Sequence, residues 1–394
     1  MSKTANGSGS IRHRSDGRWE ARYATGYDPK TGKITYKSIY AKTQKEVKTK
    51  LYATIAEIDS ETYIEPCKTR LADWINTWLN EYCADKKYLT VKGYKASCNT
   101  HIIPAIGHYK LCDLNSITIQ KFYNNLKSTN GEDLAPKTIK NIHTVLRTIL
   151  EQAKKNGYIR DNPCDNTVIP KVRKPEIKPL TDEQVKELLT IAEKDEIYGI
   201  MFEVTMLTGL RESEAMALSW DCVDFEKGVL NINKQLQHRP QKDGGYTFST
   251  LKNDKGRKIR PAPFVMNLLK KQYKTQERQK EISSILWSGW ITETQRKKSL
   301  VFTTQTGEHL KHKNVYKHFK KIAEEIGVPE ARVHDLRHTF AVLSLENGDD
   351  IKTVQGNLGH ASAAFTLDVY GHVSDEMQRA SSNRMEKYIA NLRI

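Results

Sequence analysis

The sequence predicts a multidomain α+β protein: a small three-stranded sheet with one helix, then a helical bundle, then a mainly α-helical domain that contains a small β-sheet. Three observations indicate this order. The N-terminal region alternates polar and apolar side chains around turn sequences, residues 69–157 space their apolar side chains as helices do, and a proline-rich segment precedes a second helical region. We expect domains at residues 1–65, 66–160 and 179–394, with a basic linker at 161–178.

The N-terminal region has the pattern of a sheet with one packed face and one charged face. Trp19, Ala21 and Tyr23 alternate with charged residues, between turns at "DG" and "DPKTGK". The following "TQKE" is a capping box at the start of a helix. Basic side chains outnumber acidic ones here, so a sheet that lies on DNA is favoured over a merely solvated, charge-rich domain. The candidate DNA contacts are Arg12, Arg14, Arg18 and Arg22.

The next two segments are predicted to be a four-helix bundle and a linker. One apolar stripe, typical of a helix that faces a core, contains Leu71, Trp74, Ile75, Trp78, Leu79 and Tyr82. Two shorter helices separate it from a long amphipathic helix that ends at Gly157. Four prolines then interrupt regular structure, while Lys171, Arg173 and Lys174 keep the segment basic. This segment is either a solvated tether or a linker that contacts the same DNA as its neighbours.

Charge and composition favour a nucleic-acid partner. The formal net charge of +16 indicates a polyanion, with DNA ahead of an anionic membrane. The sequence contains neither an apolar stretch of bilayer-spanning length nor a signal-peptide pattern. The six cysteines form no CxxC pair, so we interpret them as reduced thiols. We therefore expect a cytoplasmic, nucleoid-associated protein without a membrane partner.

Short motifs in the C-terminal domain indicate phosphate chemistry. "TGLRESE" places Arg211 after an apolar helix, and burial of this arginine requires a partner, either Glu214 or a phosphate. "HDLRHTF" brings His334 and Arg337 to one face of a helix. "NLGHAS", which contains His360, and "TLDVYGHV" follow. Each motif alone is weak, and "HDLRHTF" by itself is typical of a charged helix start, but their order across a basic domain is specific.

A metal site is the weaker interpretation of the histidines. His334 and His338 are four residues apart, which suits a zinc-binding pair. However, Asp335 stands where the metalloprotease motif has glutamate, and no obvious third ligand is near in sequence. Since the chain also has no phosphate-binding glycine loop of the Walker type, we expect no metal and no cofactor.

The motifs "TGLRESE", "HDLRHTF", "LGHAS" and "VYGHV" resemble those of the tyrosine recombinases, and within them the integrases of conjugative transposons and temperate phages. The resemblance covers essentially the whole chain and implies an arm-type DNA-binding sheet, a SAM-like core-binding domain and a tyrosine-recombinase catalytic domain. The catalytic residues it implies are Arg211, Lys252, His334, Arg337, His360 and Tyr370. The gap from His360 to Tyr370 is one residue longer than is usual in the family. Lys252 fits the hairpin lysine best by position, and Lys255 is the alternative.

The resemblance implies a site-specific recombinase that integrates and excises a mobile element through a 3'-phosphotyrosyl intermediate. Its implied partners are core-type and arm-type sites in double-stranded DNA, three further copies of the chain in a homotetramer, an excisionase and a DNA-bending host protein. Two alternatives stay open: a type IB-like topoisomerase that uses the same residues, and a catalytically silent DNA-binding regulator. A second DNA-binding module argues against the first, and the complete residue set argues against the second.

The C-terminal segment has apolar side chains at helical spacing. One face carries Met377, Ala380, Met385, Tyr388, Ile389 and Leu392. This pattern fits a helix that closes its own domain, and the resemblance implies instead a tail that docks on a neighbouring protomer.

Overall fold

The computed structural model describes residues 9–27, 31–59, 68–128, 131–173, 178–239, 245–251, 255–359 and 374–392. The chain divides into two compact units, Met1–Lys174 and Pro175–Ile394. None of the helices in the described ranges combines the length and the apolar character needed to cross a bilayer. The predicted fold class is confirmed: a small three-stranded sheet, a helical region and a mainly helical C-terminal region follow one another.

The first unit begins with an antiparallel sheet in the order β1-β2-β3, packed on one helix. Its elements are β1 (Ser10–His13), β2 (Trp19–Tyr27), β3 (Ile34–Ala41) and α1 (Gln44–Asp59). The packed face is confirmed, because Ala21 and Tyr23 are buried with Val47 and Leu51 of α1. The helix start is also as predicted, since Glu46 N donates a hydrogen bond to the hydroxyl of Thr43.

The opposite, charged face of this sheet has a buried carboxylate, Glu20. Its side chain is only 5% exposed, because Arg12 Nε and Ser38 Oγ donate hydrogen bonds to the carboxylate at 2.6 and 2.7 Å. These hydrogen bonds, that from Ser38 first, lower the pKa of Glu20 to about 2. Glu20 is therefore an ionised acceptor in the middle of the predicted charged face, with basic and hydroxyl side chains around it.

The helical part of the first unit has one continuous core. Its helices are α2 (Leu71–Glu81), α3 (Tyr88–Ser97), α4 (Ile103–Ile106), α5 (Ser116–Asn124) and α6 (Pro136–Lys155). A π-helical turn (Cys98–Ile102) joins α3 to α4, so one of the two shorter predicted helices is an interrupted pair. Tyr82 was wrongly assigned to the core: α2 ends just before it, and its side chain is 41% exposed. Asn162 and Cys164, in the segment predicted as a linker, are buried.

The second unit is mainly helical. Its helices are α7 (Asp182–Ala192), α8 (Gly199–Thr208), α9 (Glu212–Ala215), α10 (Pro263–Ser283), α11 (Glu293–Lys298), α12 (His312–Glu325), α13 (Val333–Glu346), α14 (Ile351–Leu358) and α15 (Ser374–Leu392). A capping box between Thr181 and Gln184 begins α7. The predicted apolar helix is α8, which is buried along nearly its whole length.

In the described part of the second unit, the strands form two small antiparallel sheets. They are β4 (Val223–Asp224), β5 (Val229–Ile232), β6 (Gln235–His238), β7 (Tyr246–Ser249) and β8 (Arg257–Ile259). One sheet has the order β4-β5-β8, and β6 and β7 pair as a hairpin. The segment "GVLNINKQLQ" therefore contributes a strand to each sheet, and β8 returns to β5, so that Leu230 lies opposite Ile259.

One carboxylate interrupts the apolar character of α8. Glu203 is 4% exposed, and burial raises its pKa to about 7, against the opposing charge of Lys271. Folding thus favours the protonated form of Glu203. The stability gained from this protonated carboxyl group is fully present below pH 4.5, the ordinary pKa, and is lost as the pH rises through about 7.

We predict that Glu203→Gln flattens the pH dependence of stability. Since glutamine cannot ionise, the variant should lose less unfolding free energy than the wild type between pH 5 and pH 8, by on the order of 3 kcal/mol at most. Denaturant unfolding across this range measures the difference. The control is Glu187→Gln, an exposed position on α7. Parallel pH profiles for wild type and Glu203→Gln would contradict the assignment.

Candidate active site

Arg211 lies between α8 and α9 and is held by a buried carboxylate. Its backbone N and its Nη1 both donate hydrogen bonds to Glu214, at 3.0 and 2.6 Å. The Glu214 side chain is 1% exposed, whereas that of Arg211 is 23% exposed. Arg211 is therefore paired with Glu214, one of the two partners that the sequence suggested, and part of its guanidinium still reaches solvent.

Glu214 is shared with a second arginine, Arg257 at the start of β8. Arg257 Nη2 and Nη1 donate to the two carboxylate oxygens at 2.8 and 3.2 Å. Burial acts to raise the pKa of Glu214, but the hydrogen bonds and charge of Arg257, together with the charge of Arg211, outweigh it and lower this pKa to about 2. Two guanidinium groups thus face one ionised carboxylate, and the cluster of Arg211, Glu214 and Arg257 carries a surplus positive charge.

Arg337 is a buried cation on α13 that binds the ends of two other helices. It is 2% exposed, and its Nη1 and Nη2 donate to the carbonyl oxygens of Gly209 and Leu358 at 2.6 and 2.5 Å. These carbonyls lie at the C-terminal ends of α8 and α14, where the helix dipole is negative. Arg337 therefore holds α8 and α14 against α13. One of the two carbonyls that it binds, that of Gly209, lies two residues before Arg211.

His334 lies one turn before Arg337 on α13. His334 is an exposed residue, yet the protein around its ring desolvates it, and the charges of His338 and Arg337 add to this effect, so that its pKa is lowered to about 4. The rings of His334 and His338 meet edge to face at 4.9 Å. His334 is neutral at pH 7 and can accept a proton. Within the described ranges, no group of three or more His, Cys, Asp or Glu side chains is placed to hold a metal ion.

Two glycines in left-handed conformations form the turns at this site. Gly209 (φ +65°) ends α8, and a Cβ there would lie 2.5 Å from Phe340 and 2.7 Å from Leu358. Gly359 (φ +64°) ends α14, and a Cβ there would lie 3.1 Å from the Arg257 side chain. The backbone angle favours glycine at both positions, and at Gly209 the neighbouring side chains also leave no room for a Cβ.

The structure brings together three of the six predicted catalytic residues. Arg337 binds the carbonyl of Gly209, two residues before Arg211, and the charge of Arg211 contributes to the lowered pKa of His334. Lys252, His360 and Tyr370 lie outside the described residues. Lys255, the alternative lysine, is exposed just before β8.

Arg257 is a residue of the site that the sequence analysis did not select. It lies in the segment "LKNDKGRKIRPAP", which also contains Lys252 and Lys255. The family's hairpin often has an arginine after the lysine and a short turn, and this order was the available signal.

The predicted DNA-binding arginines of the N-terminal sheet differ in their partners. Arg12 and Arg14 pair with Glu20, and Arg18 pairs with Asp16 at 2.7 Å. Arg22 stacks over the exposed ring of Tyr36 at 4.7 Å. In the predicted linker, Lys171 and Arg173 are exposed, and Lys174 lies outside the described residues.

Comparison with known proteins identifies the class. The model of the phage integrase family matches residues 178–377, and that of the phage integrase N-terminal SAM-like domain matches residues 70–127. The chain belongs to the phage integrase family and is a tyrosine recombinase of the integrase kind, an enzyme that cleaves and rejoins DNA.

Individual relatives agree with this assignment. The chain is 30% identical to a XerC-like tyrosine recombinase of Caldanaerobacter subterraneus, over 87% of this chain and 89% of the relative. It is 25% identical to the ICEBs1 integrase of Bacillus subtilis, over 96% and 99%. A Tn1549 transposon integrase, solved in complex with transposon right end DNA, shares the fold with a TM-score of 0.65 at 21% identity, over 81% of this chain and all of that one.

We predict that Gly209→Ala disrupts the site beyond the cost of its backbone angle. Alanine at a left-handed position costs roughly 1–2 kcal/mol, and the contacts with Phe340 and Leu358 should add about 1–3 kcal/mol and displace the carbonyl that binds Arg337. Gly228→Ala is the matched control, because Gly228 has φ +62° and no atom near its missing Cβ. Denaturant unfolding and DNA cleavage measure both variants, and equal losses would contradict the prediction.

Proposed function

We propose that this chain integrates and excises a mobile DNA element by site-specific recombination of double-stranded DNA, with Tyr370 as the nucleophile. The observation that carries the proposal is the surplus positive charge of Arg211, Glu214 and Arg257 beside buried Arg337 and neutral His334. Fixed positive charge of this kind suits a phosphodiester whose negative charge grows in the transition state.

In the proposed reaction, the phenolic oxygen of Tyr370 attacks phosphorus and the bond from phosphorus to the 5'-oxygen breaks. His334 accepts the phenolic proton, as its neutral state at pH 7 allows. Lys252 donates a proton to the departing 5'-oxygen, while Arg211, Arg337 and His360 stabilise the nonbridging oxygens. The products are a 3'-phosphotyrosyl link and a free 5'-hydroxyl. Attack by a 5'-hydroxyl from another strand reverses these steps, so that rejoining needs no ATP.

The proposal divides DNA binding among three regions. Residues 1–65 bind arm-type sites, residues 66–160 bind the core-type site, and residues 179–394 catalyse strand exchange. The linker at 161–178 contacts DNA through Lys171, Arg173 and Lys174. The Tn1549 integrase, solved with DNA, supports the DNA partner. In this proposal, the protein acts in the cytoplasm, on the nucleoid.

We further propose a homotetramer on DNA, assisted by an excisionase and a DNA-bending host protein. Support for assembly comes from α15, where the apolar side chains of Met385, Tyr388 and Leu392 are 58%, 60% and 66% exposed. This face is available to a neighbouring protomer.

Tyr370→Phe tests the nucleophile. On a nicked suicide substrate, the variant should bind DNA but form no covalent adduct on a denaturing gel, because phenylalanine has no hydroxyl. Tyr316→Phe, at an exposed position of α12, is the matched control and should form the adduct as the wild type does. An adduct with Tyr370→Phe would refute the assignment, and a wild-type protein without any adduct would favour the silent regulator.

Arg22→Ala tests the N-terminal sheet as the arm-binding surface. The variant should lose protection of arm-type sites on a long DNA fragment and lower the salt slope by about one unit for each lost phosphate contact. Cleavage at the core site should persist. Lys50→Ala is the control, since it removes one positive charge from α1, where Lys50 pairs with Glu46. An unchanged footprint with Arg22→Ala would assign this sheet to another partner.

A further inference from the structure

Arg257 connects three parts of the site through one side chain. Its Nη atoms bind both oxygens of Glu214, and its Nε donates to the carbonyl oxygen of Asn357 at 2.6 Å. The side chain is 10% exposed, and Gly359 packs against it. A residue of β8 thereby reaches the end of α14 and the carboxylate that holds Arg211.

We propose that Arg257 is a positioning residue for phosphoryl transfer, which acts by keeping Arg211 available to the phosphate and by fixing the end of α14. The proposal rests on the proposed function, because it assigns Arg211 to the phosphate. It assigns Arg257 no contact with DNA.

Arg211 and Arg257 compete for the Glu214 carboxylate. With Arg257 in place, the buried carboxylate has two cationic partners, and Arg211 contributes only its Nη1 and its backbone N. Without Arg257, Glu214 would be a buried anion with a single cation. Arg211 would then turn further onto Glu214, because an unpaired buried charge costs several kcal/mol. The Arg211 guanidinium would then lie farther from the phosphate, although residue 211 is still an arginine.

The second connection concerns the turn after α14. Asn357 and Leu358 are the last residues of this helix, and their carbonyls bind Arg257 and Arg337 respectively. Two guanidinium groups therefore fix the backbone immediately before Gly359, which precedes the predicted catalytic His360 in the sequence. Loss of Arg257 removes one of these two anchors.

The test compares Arg257→Gln with wild type in single-turnover cleavage of the nicked substrate. We expect a rate about 100-fold lower, as for loss of preorganised charge stabilisation, while the dissociation constant for DNA stays within about 3-fold, because Arg257 has no DNA contact to lose. Arg257→Lys should recover part of the rate, since it keeps a charge but not the bidentate fork. Arg332→Gln is the matched control: Arg332 pairs with Asp335 on α13 but is 65% exposed, and its rate should match the wild type.

A double variant separates positioning from a purely structural role. Glu214→Gln combined with Arg257→Gln should cleave faster than Arg257→Gln alone, because neutral glutamine does not draw Arg211 away. Losses that add, or a slower double variant, would overturn the proposal. Thermal unfolding of all variants identifies losses due to misfolding, and a rate that recovers while the melting temperature does not would support positioning.

A modified substrate identifies which group Arg257 serves. A 5'-bridging phosphorothiolate leaves as a thiolate and needs no proton, since a thiol has a pKa of about 8.5. Arg257→Gln should stay defective on this substrate, because its defect lies at the phosphate. Full rescue would overturn the proposal, because it would show that Arg257 acts through the hairpin lysine that protonates the departing oxygen. A wild type without any adduct refutes the proposed function itself, whereas an active wild type matched by Arg257→Gln refutes only this inference.

Discussion

The full burial of the Arg337 guanidinium is the constraint on which the rest of the second unit depends. A buried cation is costly unless acceptors surround it. Here the acceptors are the carbonyls of Gly209 and Leu358, at the ends of α8 and α14. Both helices must therefore end beside α13, and each does so in a left-handed glycine. The same hydrogen bonds therefore fix the positions of these helices and satisfy the buried charge of Arg337.

The electrostatics of the site separate permanent charge from transferable protons. Arg211, Arg257 and Arg337 stay cationic, and the low pKa of Glu214 means that this carboxylate stays ionised as their partner. His334 is neutral near pH 7 because its surroundings desolvate it and are already positive. Under the proposed function, this division lets the arginines hold an anion and leaves an imidazole able to exchange a proton.

Much of this could be predicted from sequence, where the signal is local. The α7 capping box at Thr181 and the helix that carries His334 and Arg337 follow from spacing within a few residues. The failures concern contacts distant in sequence. The burial of Glu20 was not predicted, because Ser38, a hydrogen-bond donor to it, lies on the next strand. Arg257 was not selected because its partner Glu214 lies 43 residues earlier, and only the folded sheet shows that they meet.

Tyr82 failed for a different reason. Its spacing continues the apolar stripe of α2, but the helix ends at Glu81, and periodicity alone does not locate a helix end. The full catalytic set stays a prediction, since Lys252, His360 and Tyr370 lie outside the described residues.

The two left-handed glycines also restrict how this site can vary in evolution. Every single-base change of a glycine codon that alters the amino acid introduces a side chain with a Cβ. At Gly209 that atom would meet Phe340, and at Gly359 it would meet Arg257. Neither position has a conservative neighbour one mutation away, so drift around these turns requires prior change in the side chains that face them. The peptide geometry of the turns is thus fixed more firmly than the identity of the residues packed on them.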